Sequence, residues 1–407
     1  MSEHPLETKR RIYSIDLLRG IVMIIMLLDH VRDYVAAGGL TENPTNLTKT
    51  SAALFLTRWI THFCAPTFVF LSGTSIYLQK MRGKTGWELS KFLLTRGLWL
   101  IVLEFTAVRL SLFFNFDYSF FGLAEVIWVF GVSMIVLAGL VHLPVKALGS
   151  IGVAMILLHN LFDGITVPPA TAFAAMPPPD AFQTLWLFLH QTGFVPLFGG
   201  ASKLLTAYPL IPWIGVMAAG YALGSIYSWE TEVRRKWLFK LGLTATTLFL
   251  VLRGINIYGD PSRWQYQESG VFTFLSFLNT TKYPPSLLFL LMTLGPSLLV
   301  LAAADRIDGK GMVQQIAITF GRVPLFYFIL QMFYAHGAGL LLGYLAGKDV
   351  GYLFLNPDGW AAAPPDNGFP LWVVYLTWIA GLIILYPLCR WYGQLKSKSG
   401  HWAFSYL

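Results

Sequence analysis

The chain has 407 residues, of which 55% are hydrophobic and only 12% charged, and its formal net charge is +8. A soluble globular protein carries roughly 25% charged residues, so too few remain here to cover a water-soluble body. The basic excess gathers in particular loops and forms no continuous patch, which argues against nucleic acid as a partner and for anchoring at one membrane face.

The apolar residues fall in blocks about 20 long, the length that crosses about 30 Å of hydrocarbon at 1.5 Å per residue. They predict an all-α, polytopic helix bundle of about ten transmembrane helices at 14–36, 56–79, 91–114, 120–142, 146–162, 206–228, 237–258, 284–304, 315–346 and 370–391. We read one domain over residues 1–407, with ends at 1–13 and 392–407. The first fourteen residues are polar and no small-residue cleavage site follows the first block, so no cleavable leader is expected. Pro324, near the start of the ninth span, predicts a kink there.

Loop charge predicts the orientation. Lys9, Arg10 and Arg11 precede the first span, and Lys80, Arg82 and Lys84 follow the second. Arg234, Arg235, Lys236 and Lys240 separate the sixth and seventh, Arg306 and Lys310 follow the eighth, and Lys396 and Lys398 follow the tenth. Ten spans put all of these on one side, so both termini are expected in the cytoplasm. The opposite loops are longer. Segment 163–205 carries Pro168, Pro169 and Pro177 to Pro179, and a stretch from Leu185 to Phe198 is amphipathic enough to lie in the interface. Segment 348–369 carries Asp349, Asp358 and Asp366 with Pro357, Pro364 and Pro365. Such loops shape a substrate entrance or simply connect spans.

The first span holds the most informative pattern. Arg19 and His30 are eleven residues apart, which at about 100° per residue leaves them ~20° from alignment and ~16 Å apart along the axis. Asp16, Met23, Met26 and Asp33 lie within about 60° of the same line. The stripe therefore runs from an Asp16/Arg19 pair, past two methionines, to His30 and Asp33, with Asp29 beside His30. Ionisable groups at membrane depth cost ~2.5–3.5 kcal/mol each on insertion scales, so they face a protein interior or a water-filled cavity. The alternative is an anchoring arginine plus a structural histidine. His62, in the second span, is expected at the depth of His30, and one imidazole could take a proton while the other, or Asp29, orients it.

Other polar residues in spans read less sharply. Glu104, Glu125 and Arg109 suggest a buried network holding the bundle together. Gln331 and His336 suit substrate contact or helix–helix glue equally. Arg96 and Arg322, at the mouths of the third and ninth spans, suit phosphates or headgroups. Gly337 to Gly343 suggests close helix packing. Cys64 and Cys389 imply neither a disulfide nor a metal site. No GxxxxGK[ST], HExxH, CxxC or GxSxG motif occurs, and no internal repeat is visible.

The segment RIYSIDLLRGIVMIIMLLDHVRDY resembles the opening helix of the heparan-α-glucosaminide N-acetyltransferase-like membrane family, in its bacterial branch. THFCAPTFVFLSGTS, YPLIPWIGVMAAGYALG, TKYPPSLLFLLMTLGP and FGRVPLFYFILQMFYAH are similar to the same branch. The Arg19-x10-His30 spacing also resembles the Arg/Lys-x10-His signature of membrane acyltransferases that O-acetylate surface polysaccharides. The resemblance implies a transmembrane acyltransferase fold in the bacterial inner membrane. Such a protein moves an acetyl group from cytoplasmic acetyl-CoA to a hydroxyl or amine of an extracytoplasmic sugar or small-molecule acceptor. It matches His30 to the catalytic histidine and Arg19 to the basic residue of the signature, and leaves open whether His30 or His62 is the principal base. On this reading Arg19 with Asp16, Arg96 and Arg322 hold coenzyme A, whose arm follows the methionines. Asp29 and His62 assist His30, and Asp33, Gln331 and His336 meet the acceptor. Membrane lipid is the further partner, a homodimer is allowed, and no metal is expected. The rival reading is a proton-coupled transporter or lipid flippase using the same polar groups.

Overall fold

The structure is a computed structural model that describes residues 12–167, 179–307, 309–360, 362–364 and 367–399. Lys9 to Arg11, the prolines at 168, 169, 177 and 178, Pro365, Asp366 and residues 400–407 lie outside the described residues.

Helix makes up 71% of the structure, as the all-α reading requires. In chain order the helices are α1 Tyr13–Val35, α2 Ala52–Thr61, α3 Cys64–Met81, α4 Gly86–Leu103, α5 Arg109–Phe113, α6 Val126–Leu140, α7 Val145–Leu158 and α8 Ala181–Leu189. They continue with α9 Leu210–Gly224, α10 Thr231–Ile255, α11 Gly270–Leu278, α12 Leu287–Ala304, α13 Met312–Arg322, α14 Pro324–Leu345, α15 Pro357–Trp360 and α16 Leu371–Lys398. Among the described residues, seven stretches are long and apolar enough to cross a membrane: Ala52–Met81, α7 with its 3-10 extension, α9 with its extension, α10, α12, α14 and α16. The shorter α6 and the charge-bearing α1 and α4 pack lengthwise into the same bundle, against α9, α14 and α6 respectively.

Burial sorts the layers. Most of α9 and α12 is enclosed by protein, whereas α7, α10 and α16 expose most of their apolar length. Leu248, Leu250 and Val251 of α10, and Ile383 and Ile384 of α16, are exposed. A monomer in water rarely shows contiguous apolar faces of this extent, and a lipid-facing helix must.

Two prolines break what the sequence predicts as continuous spans. Pro66 lies in the first turn of α3, where it lacks an N–H and its ring would strike the carbonyl of His62, so the second span splits at His62–Phe63. Pro324 opens α14, and Val323 before it adopts φ −129°, ψ 50°, so the predicted kink is a full break. The third span carries a π-helical turn, Glu104–Val108.

One expectation fails outright. The fourth span does not begin at 120, because Phe120–Ala124 is strand β1, and the helix starts at Val126. β1 runs parallel to β3 (Ser202–Thr206), which pairs antiparallel with β2 (Gly193–Leu197) in the order β1-β3-β2. β1 is almost wholly buried, and a short apolar run buried on both faces reads like helix by periodicity. The amphipathic stretch from Leu185 to Phe198 is likewise two pieces, the end of α8 and all of β2. Of the glycines expected to pack closely, Gly339 faces the Tyr34 carbonyl at 2.6 Å from an ideal Cβ, while Gly337 has open space.

The loop-charge pattern corresponds to one physical face. Ile12 and Lys396, near the two ends of the described chain, line the same cavity with Arg82 and Lys84. Ser14 donates to Asp305 at 3.0 Å, Arg234 pairs with Asp305, and Arg306 pairs with Glu232. We call this the basic face. The sheet, α8 and α11 belong to loops at the other ends of the spans.

Candidate active site

A cavity of about 670 Å³ opens on the basic face. Arg19, Arg82, Lys84, Arg96, Arg322 and Lys396 line it, against a single carboxylate among the described residues, that of Asp16. Its walls also include Arg82 and Phe68 of the α3 segment, fourteen residues apart, so it is about 20 Å deep at 1.5 Å per residue. The far end is apolar, with Leu100, Ile127, Phe130, Met134 and Phe328. Ile127 is the second residue of α6, so the cavity reaches almost to the opposite end of that helix.

Every residue expected to hold the donor therefore meets in one chamber. Arg19 is oriented by three groups: Nη2 donates to Ser75 Oγ at 2.7 Å, and Nη1 to the Gly321 carbonyl at 3.2 Å and to Asp16 at 3.4 Å. α1 and α13 approach backbone to backbone at this point. An ideal Cβ on Gly20 would lie 1.8 Å from the Ala317 oxygen, and one on Gly321 1.9 Å from the Asp16 oxygen. Only glycine permits that approach. The methionine lining is a correction. Met23 and Met26 are buried in the core and are not among the lining residues. Both lie on the packed side of α1, and aromatic and aliphatic side chains of α3, α4, α6 and α14 take their place.

Beyond the far end lies a second, charged cluster. Asp29 accepts from Arg58 on both oxygens (Oδ1 at 2.5 Å), from Arg32 at 3.0 Å and from the Thr61 hydroxyl at 3.0 Å. Arg32 also pairs with Asp33. Asp29 thus bonds two guanidinium groups and a hydroxyl, and no bond joins it to His30, which corrects its expected role as the partner that orients that imidazole. Lys282 and Glu125 lie close enough to act electrostatically on this cluster. Tyr283 beside Lys282 packs on Tyr208, with ring centroids 5.3 Å apart.

His30 is half-buried, and its ring meets the edge of Phe328, itself a cavity residue, at 5.9 Å. Its Nδ1 is buried without a hydrogen-bond partner. His62 sits at the break between α2 and α3, buried against Phe289 at 5.3 Å, also with an unpartnered Nδ1. The bond between their neighbours Thr61 and Asp29 puts the two histidines at one level, as expected, but among the described residues no hydrogen bond or ring contact joins them.

Two expected acceptor contacts part company. Gln331 is fully buried one turn beyond Phe328, and among the described residues neither of its amide atoms is hydrogen-bonded. His336 is packed between rings, with its Nε2 buried and unpartnered among the described residues. Its ring is stacked between Tyr34 (4.5 Å) and Phe114 (3.8 Å), and its Nδ1 bonds the Ser111 carbonyl at 3.0 Å. The Glu104–Arg109 network also dissolves into separate tasks. Glu104 accepts from the Trp128 N–H at 2.6 Å, at the start of α6. Arg109 donates to the carbonyls of Asn115, Phe120 and Phe121 at 2.8–3.1 Å and of Asp117 at 2.5 Å, gathering the loop before β1. In that loop the Asp117 carboxyl is held below its usual range by the N–H and hydroxyl of Ser119.

Sequence reasoning missed Arg58, Lys282, Tyr208 and Tyr283. An arginine inside an apolar span was a usable signal for Arg58. The others are brought in by loops, with no periodicity to announce them.

Residues 11–259 match the family model described as heparan-alpha-glucosaminide N-acetyltransferase, catalytic. No curated protein matches the chain. The matched span includes Arg19, His30, Arg58, His62 and Arg96, while Lys282, Arg322 and Gln331 lie outside it.

Proposed function

The chain belongs to the heparan-alpha-glucosaminide N-acetyltransferase catalytic family and is a multi-pass transmembrane acetyltransferase, and from that premise we propose that it transfers acetyl from coenzyme A at the basic face to an acceptor held at the opposite end of the bundle. One observation carries this reading: a deep cavity, cationic at its mouth and apolar at its base, ends on Phe328, which touches His30.

The residues fit the donor. Arg19, Arg96 and Arg322 suit phosphate oxygens, since guanidinium groups bind them with paired donors. Asp16 holds Arg19 in place. The apolar base suits an uncharged pantetheine arm and excludes water from the thioester, which is the activated acyl group that the donor supplies. His30 is the base. It takes the proton of the acceptor hydroxyl or amine as that oxygen or nitrogen bonds the acetyl carbon, the carbon–sulfur bond breaks, and the proton passes to the leaving thiolate. His62, Asp33 and Gln331 position the acceptor, and Asp29 with Arg58 and Arg32 fixes the floor beneath it. A sugar or other small polyhydroxyl or amino compound suits the mixed charges of Asp33, Glu125 and Lys282. By loop charge the basic face is cytoplasmic, with both termini, in the bacterial inner membrane.

The test uses purified protein in detergent or nanodiscs. Coenzyme A should bind by calorimetry, and labelled acetyl-CoA should be consumed with an acceptor present. His30→Ala should lose at least about a hundredfold in turnover, the usual worth of general base catalysis. Absence of coenzyme A binding, or full turnover in His30→Ala, overturns the reading.

A further inference from the structure

The end of α7 and the end of α8 bring together three side chains that the acetyl-transfer reading does not use. His159 opens a 3-10 turn after α7, Asp163 follows it by four residues, and His190 ends α8. One ligating atom from each lies within 4.8 Å of the other two. His190 Nε2 is 3.1 Å from Asp163 Oδ1, and the two imidazoles meet edge-on, with centroids 5.7 Å apart and planes inclined at 66°.

The pairing of His190 with Asp163 is ordinary. His159 is not. It is 1% exposed, and among the described residues neither of its ring nitrogens has a hydrogen-bond partner. A neutral imidazole always carries one N–H donor and one lone pair, so packing alone leaves both unanswered in a dry site. The second layer is ordered as a ligand's would be. Asp163 Oδ2 accepts from Asn160 Nδ2 at 2.8 Å, which leaves Oδ1 to face the histidines. Asn160 in turn accepts from the Leu287 N–H at 2.9 Å, at the start of α12. Phe162 and Trp186 pack on His190, while the Asp163 side chain keeps 24% exposure and gives a path in.

We propose that His159, Asp163 and His190 bind a divalent first-row transition-metal ion, with zinc the best-suited species. Two imidazoles and a carboxylate are a common donor set for such ions, with a water completing the shell. Donors around one tetrahedral zinc stand roughly 3.4 Å apart at bond lengths near 2.1 Å, so the three side chains need only small rotations to close on it. The carboxylate's outer oxygen held by an amide is the second-layer arrangement that fixes ligand direction. The ion would fasten α7 to α8 and, through Asn160, to α12. Spacing along the chain conceals the set, since His190 is brought in only by the fold.

The experiment measures metal content in the full chain, purified in detergent with any affinity tag removed. After incubation with Zn²⁺ and desalting, plasma mass spectrometry should find about one equivalent of transition metal per chain. His159→Phe fills the same buried space without a ligand, and His190→Gln keeps a hydrogen bond to Asp163. Both should lower the retained metal by roughly tenfold or more. Wild-type protein that holds no metal after Zn²⁺ loading overturns the proposal whatever the variants do, as does full retention in His159→Phe that stays monodisperse. None of these readouts depends on acetyl transfer, so the two readings stand or fall separately.

Discussion

Replacing Gly20 by alanine puts the α1–α13 contact to a quantitative test. The added Cβ would sit 1.8 Å from the Ala317 oxygen and 2.4 Å from its carbonyl carbon, all rigid backbone. A carbon and a carbonyl oxygen rest at about 3.3 Å or more, so the two helices must part by about 1.5 Å. A gap of even 0.5–1 Å forfeits roughly a quarter to a half of each dispersion contact along the interface, and overpacking itself costs about 1–3 kcal/mol. We therefore expect about 3 kcal/mol of destabilisation. The same displacement carries Arg19 Nη1, now 3.2 Å from the Gly321 oxygen, out of hydrogen-bond range. Coenzyme A affinity should fall with stability. Gly321→Ala meets the Asp16 oxygen at 1.9 Å and demands the same separation, so the double variant should cost well under the sum of the two. Gly337→Ala, with nothing within 4 Å of its new carbon, should be neutral or stabilise by up to about 1 kcal/mol as a helix interior gains alanine. The assay is SDS-driven reversible unfolding of the purified protein beside calorimetric coenzyme A binding. Losses under about 0.5 kcal/mol, or strict additivity in the double variant, would refute a backbone contact at this crossing.

Three further outcomes are expected. Arg58→Ala should destabilise by about 3–5 kcal/mol, because a mostly buried carboxylate then keeps only Arg32 and Thr61; Asp29→Asn added to it should recover part of the loss in the same unfolding assay. Arg96→Ala and Arg322→Ala should each weaken coenzyme A binding by about tenfold to a hundredfold, the worth of one charge-assisted contact, with a shallower salt dependence by calorimetry and little effect on melting temperature. His336→Phe should keep both the aromatic stack and acetyl transfer, whereas His336→Ala opens a space between Tyr34 and Phe114 and should lower the melting temperature; lost turnover in His336→Phe at unchanged stability would restore that residue to the acceptor site.

What could be read from residues alone follows a physical line. Apolar blocks announce spans because lipid admits few alternatives, and the loop cations announce one shared face, where Ile12 and Lys396 line one cavity. The alignment of Arg19 with His30 needed only helical geometry, and it marked both ends of the proposed site. Contacts set by side-chain direction were beyond reach. Asp29 looked free to serve His30 because its two arginines approach from different turns and different helices. Met23 and Met26 share the stripe but turn into the core. β1 mimicked a span because its five residues are almost all apolar and buried, and His62 concealed a helix break that Pro66, four residues on, in fact foretold.

α1 runs from Tyr13 to Val35 with no proline and no interruption, and it bears both Arg19 of the cavity lining and His30, whose ring meets Phe328 of the cavity wall. On the proposed reading, donor anchor and base are thus mounted on one unjointed rod, and the helical rise fixes their spacing. If acetyl transfer runs as proposed, the helix is a gauge for carrier length. A shorter thioester, lacking the nucleotide end, should then satisfy one of the two stations at a time, and the pitch of a helix would select the carrier before any local fit is considered.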